Sequence, residues 1–232
     1  MTTITRNWQA VSAAIQAATL AAGRVPGSVH LLAVSKTFPA ADLRAAYQAG
    51  QRAFGESYAQ EALPKIAELA DLAIEWHFIG PLQSNKTRPV AEHFAWVHSI
   101  DRLKIAERLS AQRPPQSPPL NVCLQVNVSG ETSKSGVTLA EAATLAHAVA
   151  GLPNLRLRGL MAIPAPSDDP AEQRAPFVRL RQLLEQLNAE GCALDTLSMG
   201  MSHDFAAAIA EGATLVRIGT ALFGQRLYGE SL

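Results

Sequence analysis

The sequence predicts a single-domain (β/α)₈ barrel, a TIM barrel, with an extra N-terminal helix. Three observations predict it. Short β-rich runs alternate with longer helical stretches along the chain. Eight such units fit within 232 residues, the size and strand count of this barrel. Most of the apolar runs are followed directly by a polar residue or a glycine. Strands that alternate with helices pair in parallel through right-handed crossovers. An open doubly wound sheet is the alternative, because strand counting does not prove closure.

The elements follow in order. Ala10 to Gly23 is small and apolar, but Gln16 interrupts it, and Trp8, Val11, Ile15 and Ala18 recur at helical spacing. That is an amphipathic helix rather than a secretory segment, which is apolar all round. The first strand is read over Val29 to Ser35, with a helix from Pro39 to Gly50. The second is the brief Arg52 to Phe54, with a helix reaching Leu72. Ile74 to Ile79 and Ala95 to Ile100 are the third and fourth, with helical stretches at Lys86 to Phe94 and Asp101 to Ala111. The fifth, Leu120 to Val128, is the clearest. Leu155 to Ile163, Thr196 to Met199 and Leu215 to Ile218 complete the set. Gln112 to Pro119 holds four prolines and reads as a rigid spacer on the bottom face. A single domain over residues 1–232 is expected.

Composition narrows the function classes. Apolar residues make up 48% of the chain, ample for a core. Twenty basic residues balance twenty acidic ones, so no net field draws nucleic acid or an anionic membrane. No apolar run reaches the ~20 residues of a membrane span. Cys123 and Cys192 lie far apart without metal-ligand spacing and read as free thiols of a reducing cytoplasm, a disulfide being the alternative.

Chemistry in this fold gathers at the carboxyl ends of the strands. Those ends read Lys36, Glu56, Gly80, Asp101, Asn127, Met161, Ser198 and Gly219. Period-two alternation puts Leu32, Val34 and Lys36 on one face. If that face is the interior, Lys36 projects into the mouth, where desolvation favours the neutral amine that attacks an aldehyde. A surface lysine in a loop is the plain alternative. Loops after the last two strands form the recurring phosphate site of such barrels. Here they carry Ser202, read as the N-cap of a helix over Ala206 to Ile209, together with Gly219 and Thr220. Capping and turn formation alone would also explain these residues. Arg217 shares the face of Gly219, and a buried arginine needs a partner. The candidates are a phosphate, a ligand ring nitrogen, Glu56 or Asp101. On the fifth strand, Val122, Leu124, Val126 and Val128 form an apolar face for the helices. Asn121, Cys123, Gln125 and Asn127 are left to line the interior. His77 reads as a structural histidine, with Trp76 and Phe78 competing for the inner face.

Together these segments resemble a known family. Ala33-Val34-Ser35-Lys36-Thr37, Phe54-Gly55-Glu56-Ser57-Tyr58 and Trp76 through Lys86 are similar to blocks of the pyridoxal phosphate homeostasis protein family. So are Val126-Asn127, Gly159-Leu160-Met161, Leu197 through Ser202, and Arg217-Ile218-Gly219-Thr220. The blocks keep the family's order over nearly the whole chain. The resemblance implies a barrel of the alanine racemase N-terminal type, with pyridoxal 5′-phosphate held as a Schiff base on Lys36. It implies phosphate held around Ser198, Ser202, Gly219 and Thr220, and Arg217 facing the pyridine nitrogen. Asn127, Met161 and Met199 are implied as further cofactor-site residues. Ser57 departs from the family, which commonly has asparagine there, and a hydroxyl cannot reproduce both an amide donor and its acceptor.

Three functions are consistent with such a site. The first is a cytoplasmic, monomeric homeostasis protein without strong catalytic activity, whose partners are the cofactor and the apoenzymes that need it. The second is a racemase of the alanine racemase type, and the third an aldolase using Lys36 directly. Racemisation needs a second base opposite the lysine. In alanine racemases that is a tyrosine from a further domain, which a sequence ending at Leu232 is expected to lack. Tyr228 is a poor substitute.

Overall fold

The computed structural model describes residues 2–130 and 135–225. Tyr228 lies outside them. Among the described residues, eight parallel strands form a closed ring. They are β1 (His30–Val34), β2 (Ala53–Glu56), β3 (Glu75–Phe78), β4 (Trp96–Ile100), β5 (Leu120–Asn127), β7 (Leu155–Met161), β8 (Thr196–Ser198) and β9 (Leu215–Ile218). A two-residue strand, β6 (Val137–Thr138), pairs with the end of β5. The sheet runs β4-β3-β2-β1-β9-β8-β7-β5, and pairing of β4 with β5 closes it. Closure rules out the open doubly wound sheet.

The helices are α1 (Thr3–Ala21), α2 (Ala40–Ala49), α3 (Ala59–Glu68), α4 (Thr87–His93), α5 (Leu103–Gln112), α6 (Leu139–Ala150), α7 (Pro170–Ala189), α8 (Phe205–Ala210) and α9 (Thr220–Phe223). The leading helix starts earlier than its apolar stretch, because the Thr2 hydroxyl caps it by accepting from the Thr5 N–H at 3.1 Å. It packs against α2, α8 and α9 and covers a sector that the four-residue α9 is too short to fill. No helix of the described residues is long and apolar enough to cross a membrane.

Side-chain alternation splits the barrel into two layers. Ala33, Phe54, Trp76, Phe78, Val97, Val122, Leu124 and Val126 face outward into one core shared with the helices. Trp96, Cys123 and Met161 form a separate cluster inside. The polar set of β5 therefore does face inward, as expected for strands whose outer face is covered by helices. Each fully buried Phe of the outer layer, such as Phe54 or Phe78, contributes roughly 1.5–3 kcal/mol by leaving water. Both cysteines are free, Cys123 buried and Cys192 half-buried.

The proline run does more than space two elements. Arg113 within it is buried and donates to the carbonyls of Ala91 at 2.6 Å and Phe94 at 2.7 Å. It thereby satisfies orphan acceptors at the end of α4.

Candidate functional site at the carboxyl ends of the strands

Lys36 sits two residues past β1, half-buried, in a turn fixed on both sides. The Ser35 N–H donates to the Gly55 carbonyl at 3.0 Å, and the Ser35 hydroxyl donates to Glu56 Oε1 at 2.6 Å. The Thr37 N–H donates to Glu61 Oε1 at 2.5 Å, and Thr37 takes the left-handed φ of 71°. A β-branched residue there is strained by about 1–3 kcal/mol, so the surroundings impose this turn. Phe38 then stacks on Phe223 of α9, with ring centroids 4.9 Å apart. The lysine loop is thus docked against the segment that follows β9.

That segment approaches β1 closely. Parallel pairing sets Leu32 beside Arg217, and a Cβ added at Gly219 would lie 3.3 Å from the Val34 carbonyl. Thr220 opens α9 and is exposed, and the first N–H groups of a helix have no acceptor within it. The preceding loop lies alongside, because the Arg217 N–H donates to the Gly200 carbonyl at 2.9 Å. Gly200 has φ +94°, and any side chain there would meet Ala208 of α8 at 2.7 Å. Ser202 is half-buried in the following turn. It is not the N-cap: Asp204 precedes α8, and its carboxylate accepts from the Met201 N–H at 2.5 Å. Lys36, Ser202, Gly219 and Thr220 therefore belong to adjoining loops at one end of the barrel.

Arg217 points inward and is 4% exposed. Neither Glu56 nor Asp101 pairs with it. Its guanidinium donates to the Ser198 carbonyl at 2.5 Å, the Ser198 hydroxyl at 2.8 Å and the Ala162 carbonyl at 2.8 Å. Burial lowers its pKa to about 10, still a cation at neutral pH. Ser198 is fully buried, and its hydroxyl is engaged by Arg217 on one side and His98 Nδ1 on the other, at 2.9 Å. Asn127 is half-buried at the end of β5, where its Oδ1 accepts from the Gly130 N–H at 3.1 Å. Met161 lines the interior. The Met199 side chain instead packs into the outer core.

Glu56 is not a mouth residue. Gly55 takes the inward position, and Glu56 faces outward beneath α3, where Lys65 Nζ lies 3.0 Å from its Oε1. Burial raises the Glu56 pKa, and the Lys65 charge and the Ser35 hydroxyl oppose that rise. His77 is not an isolated structural histidine. It faces inward, with Nδ1 2.9 Å from His98 Nε2 and Nε2 2.8 Å from Glu75 Oε1. Ser57 is buried, and its backbone packs against Gly80.

Both histidine pKa values are lowered, chiefly by burial. For His98 the neighbouring His77 and Arg217 add to the effect, while Glu75 opposes it at His77. The unfolded chain takes up these protons below the ordinary value of 6.5, whereas the folded chain takes them up only at lower pH. Stability is therefore complete above pH 6.5 and falls as the pH drops below it, by up to ~1.4 kcal/mol per pH unit for each histidine. Glu56, with its raised pKa, works in the opposite direction as carboxylates titrate. Denaturant unfolding of the wild type and of His98→Leu at pH 7.5, 6.0 and 5.0 separates these contributions. The expected result is a shallower acid loss in the variant, and equal slopes contradict the assignment.

Cavities lie at both ends. A depression of about 230 Å³ at the mouth is lined by Ile79, Pro81, Gln125, Ser135 and Ile163. A larger cavity of about 880 Å³ lies at the amino ends of the strands, between α1 and residues such as Glu75, His77 and Arg158.

Comparison with known proteins follows the same lines. The family model described as "Alanine racemase, N-terminal domain" matches residues 4–227. A pyridoxal phosphate homeostasis protein of Pseudomonas aeruginosa is 67% identical over 229 residues, covering 99% of this chain and 98% of its own. One of Escherichia coli is 54% identical, covering 99% of this chain and 100% of its own. Among solved structures, PipY of Synechococcus elongatus with PLP bound superposes with a TM-score of 0.80 at 43% identity, over 89% of this chain and 98% of its own. An alanine racemase of Corynebacterium glutamicum superposes with a TM-score of 0.71 at 18% identity, over 98% of this chain and 62% of its own. That last likeness shows the fold alone.

Proposed function

Since this chain belongs to the alanine racemase N-terminal domain family, and within it to the pyridoxal phosphate homeostasis proteins, we propose that it binds pyridoxal 5′-phosphate and serves the homeostasis of that cofactor. The attachment is a Schiff base on Lys36. The observation that carries the reading is the docking of the Lys36 turn onto the loop after β9, where a Cβ added at Gly219 would meet the Val34 carbonyl at 3.3 Å and Phe38 stacks on Phe223. The aldehyde at the amine and the phosphate at the Ser202, Gly219 and Thr220 turns would be the two ends of one small ligand. The residues fit the group: glycine-rich backbone, first-turn N–H groups and hydroxyls suit a phosphate, and an inward cation suits an unprotonated ring nitrogen. Ser198 would act from behind, through Arg217, and Asn127 and Met161 would border the ring.

The bound cofactor supplies an electrophilic carbonyl and, in enzymes, an electron sink. Arg217 remains a cation and does not give the ring a proton, which weakens that sink. We take the protein to be a carrier rather than a fast catalyst. It acts as a monomer in the cytoplasm, with cofactor-requiring apoenzymes as its partners and no nucleic acid or membrane. The test is the visible spectrum of the protein purified without added ligand, followed by assay for amino-acid racemisation. A yellow species with negligible turnover is expected. A colourless protein returns the aldolase reading, and robust racemisation returns the racemase.

A further inference from the structure

Five side chains form one continuous line of hydrogen bonds through the barrel: Arg217, Ser198, His98, His77 and Glu75. We infer that this line has a single polarity, with both imidazoles neutral and carrying their proton on Nε2, and that His98 and His77 are positioning residues for Arg217.

The polarity follows from either end. Guanidinium groups only donate, so Ser198 Oγ accepts from Arg217 Nη1 at 2.8 Å. The serine has one proton left to place, and His98 Nδ1, 2.9 Å away, is its other partner among the described residues. If Nδ1 held a proton instead, a fully buried O–H would go unpaired, at a cost of about 1–3 kcal/mol. His98 Nδ1 is therefore bare and Nε2 protonated. His98 Nε2 then donates to His77 Nδ1 at 2.9 Å, so that nitrogen is bare as well. From the far end, a Glu75 carboxylate only accepts, so the His77 nitrogen 2.8 Å from it must carry the proton. The two derivations meet on the same tautomers. A proton added to His98 leaves the Ser198 hydroxyl without an acceptor, and one added to His77 leaves the His98 Nε2–H without one.

The surroundings hold this arrangement. Trp96 lies flat on His77, 5.4 Å between centroids and 6° between planes. The other ionisable groups acting on the line are Arg158 at Glu75, and Asp204 and the Cys123 thiol at Arg217. His77 and His98 are 1% and 0% exposed, whereas the Glu75 side chain is 52% exposed in the cavity under the barrel. The line therefore runs from that cavity to the residue proposed to face the cofactor ring. What it does for the cofactor rests on the function proposed above, but the tautomers do not.

The experiment is nitrogen-15 NMR of the histidine rings in the cofactor-free protein at neutral pH. Two neutral Nε2–H imidazoles, lost one at a time in His77→Leu and His98→Leu, are expected. An Nδ1–H tautomer or an imidazolium at either position overturns the inference, whatever the protein binds. In the loaded protein, His98→Asn keeps an acceptor near the place of Nδ1, and His98→Leu does not. Cofactor release from His98→Leu is expected to be roughly tenfold faster, the effect of weakening one charge-assisted hydrogen bond, with His98→Asn recovering most of the difference. Equal release from the two variants overturns the positioning role.

Discussion

Lys65→Met should lower stability by about 3–5 kcal/mol, the range for removing one partner of a buried ion pair. The Lys65 ammonium donates to both Glu56 carboxylate oxygens at 3.0 and 3.2 Å, to the Ser35 carbonyl at 3.0 Å and to Glu61 Oε1 at 2.6 Å. The Glu56 side chain is completely buried, so methionine would strand a charge with no water to solvate it. The loss has a pH signature. Glu56 already titrates above the ordinary carboxylate range because burial outweighs Lys65, and without Lys65 it would titrate higher still. Its protonated form is neutral, so the deficit of the variant is largest at alkaline pH and shrinks as the pH falls. Glu56→Gln in the Lys65→Met background should recover much of the loss, because no charge is then buried. Urea unfolding of the single and double variants at pH 8 and pH 6 measures both effects. A deficit under ~1 kcal/mol would make this pair equivalent to a solvated surface contact.

The same cluster reaches function. Glu61 holds Thr37 and Lys65 holds the Ser35 carbonyl, on either side of Lys36, so loosening Lys65 should also blur the position of the amine. The larger functional effect comes from Lys36 itself. Lys36→Arg keeps a cation of similar length but removes the amine that condenses with an aldehyde. The absorption band of the lysine-linked cofactor should be lost, leaving only that of the unlinked aldehyde. Pyridoxal phosphate should still bind through the Ser202, Gly219 and Thr220 turns, but at least ~100-fold more weakly, the scale of losing a ~3 kcal/mol contribution. Absorption and equilibrium dialysis read the two quantities separately. A variant with full visible absorption would place the linkage on another lysine.

Much of this architecture is legible in the sequence, and the reason is physical. A parallel barrel puts helices on one face of every strand, so the apolar face of β5 marks the outside and Cys123 and Gln125 the inside. That rule also applies to β3, where Trp76 and Phe78 belong to the outer layer and leave the interior to His77. Aromatic bulk beside a histidine reads as a competing core, and for that reason the signal is easy to misassign. His98, between Val97 and Ser99 on β4, follows the same alternation. It gains meaning only when closure brings it to Ser198, a hundred residues away. Glu56 fails for a different reason. Its position at a strand end is legible, but the inward place belongs to Gly55, and its partner Lys65 comes from the next helix. Ser202 is a good capping residue by type, yet the helix begins later, after Asp204.

Binding as proposed requires the amine of Lys36 to be the group that holds the cofactor aldehyde. Borohydride reduction of the protein loaded with pyridoxal phosphate, followed by proteolysis and mass spectrometry, locates that bond. A single phosphopyridoxyl group on the peptide containing Lys36 is expected. A modification confined to other lysines, with the Lys36 peptide unchanged, would contradict it.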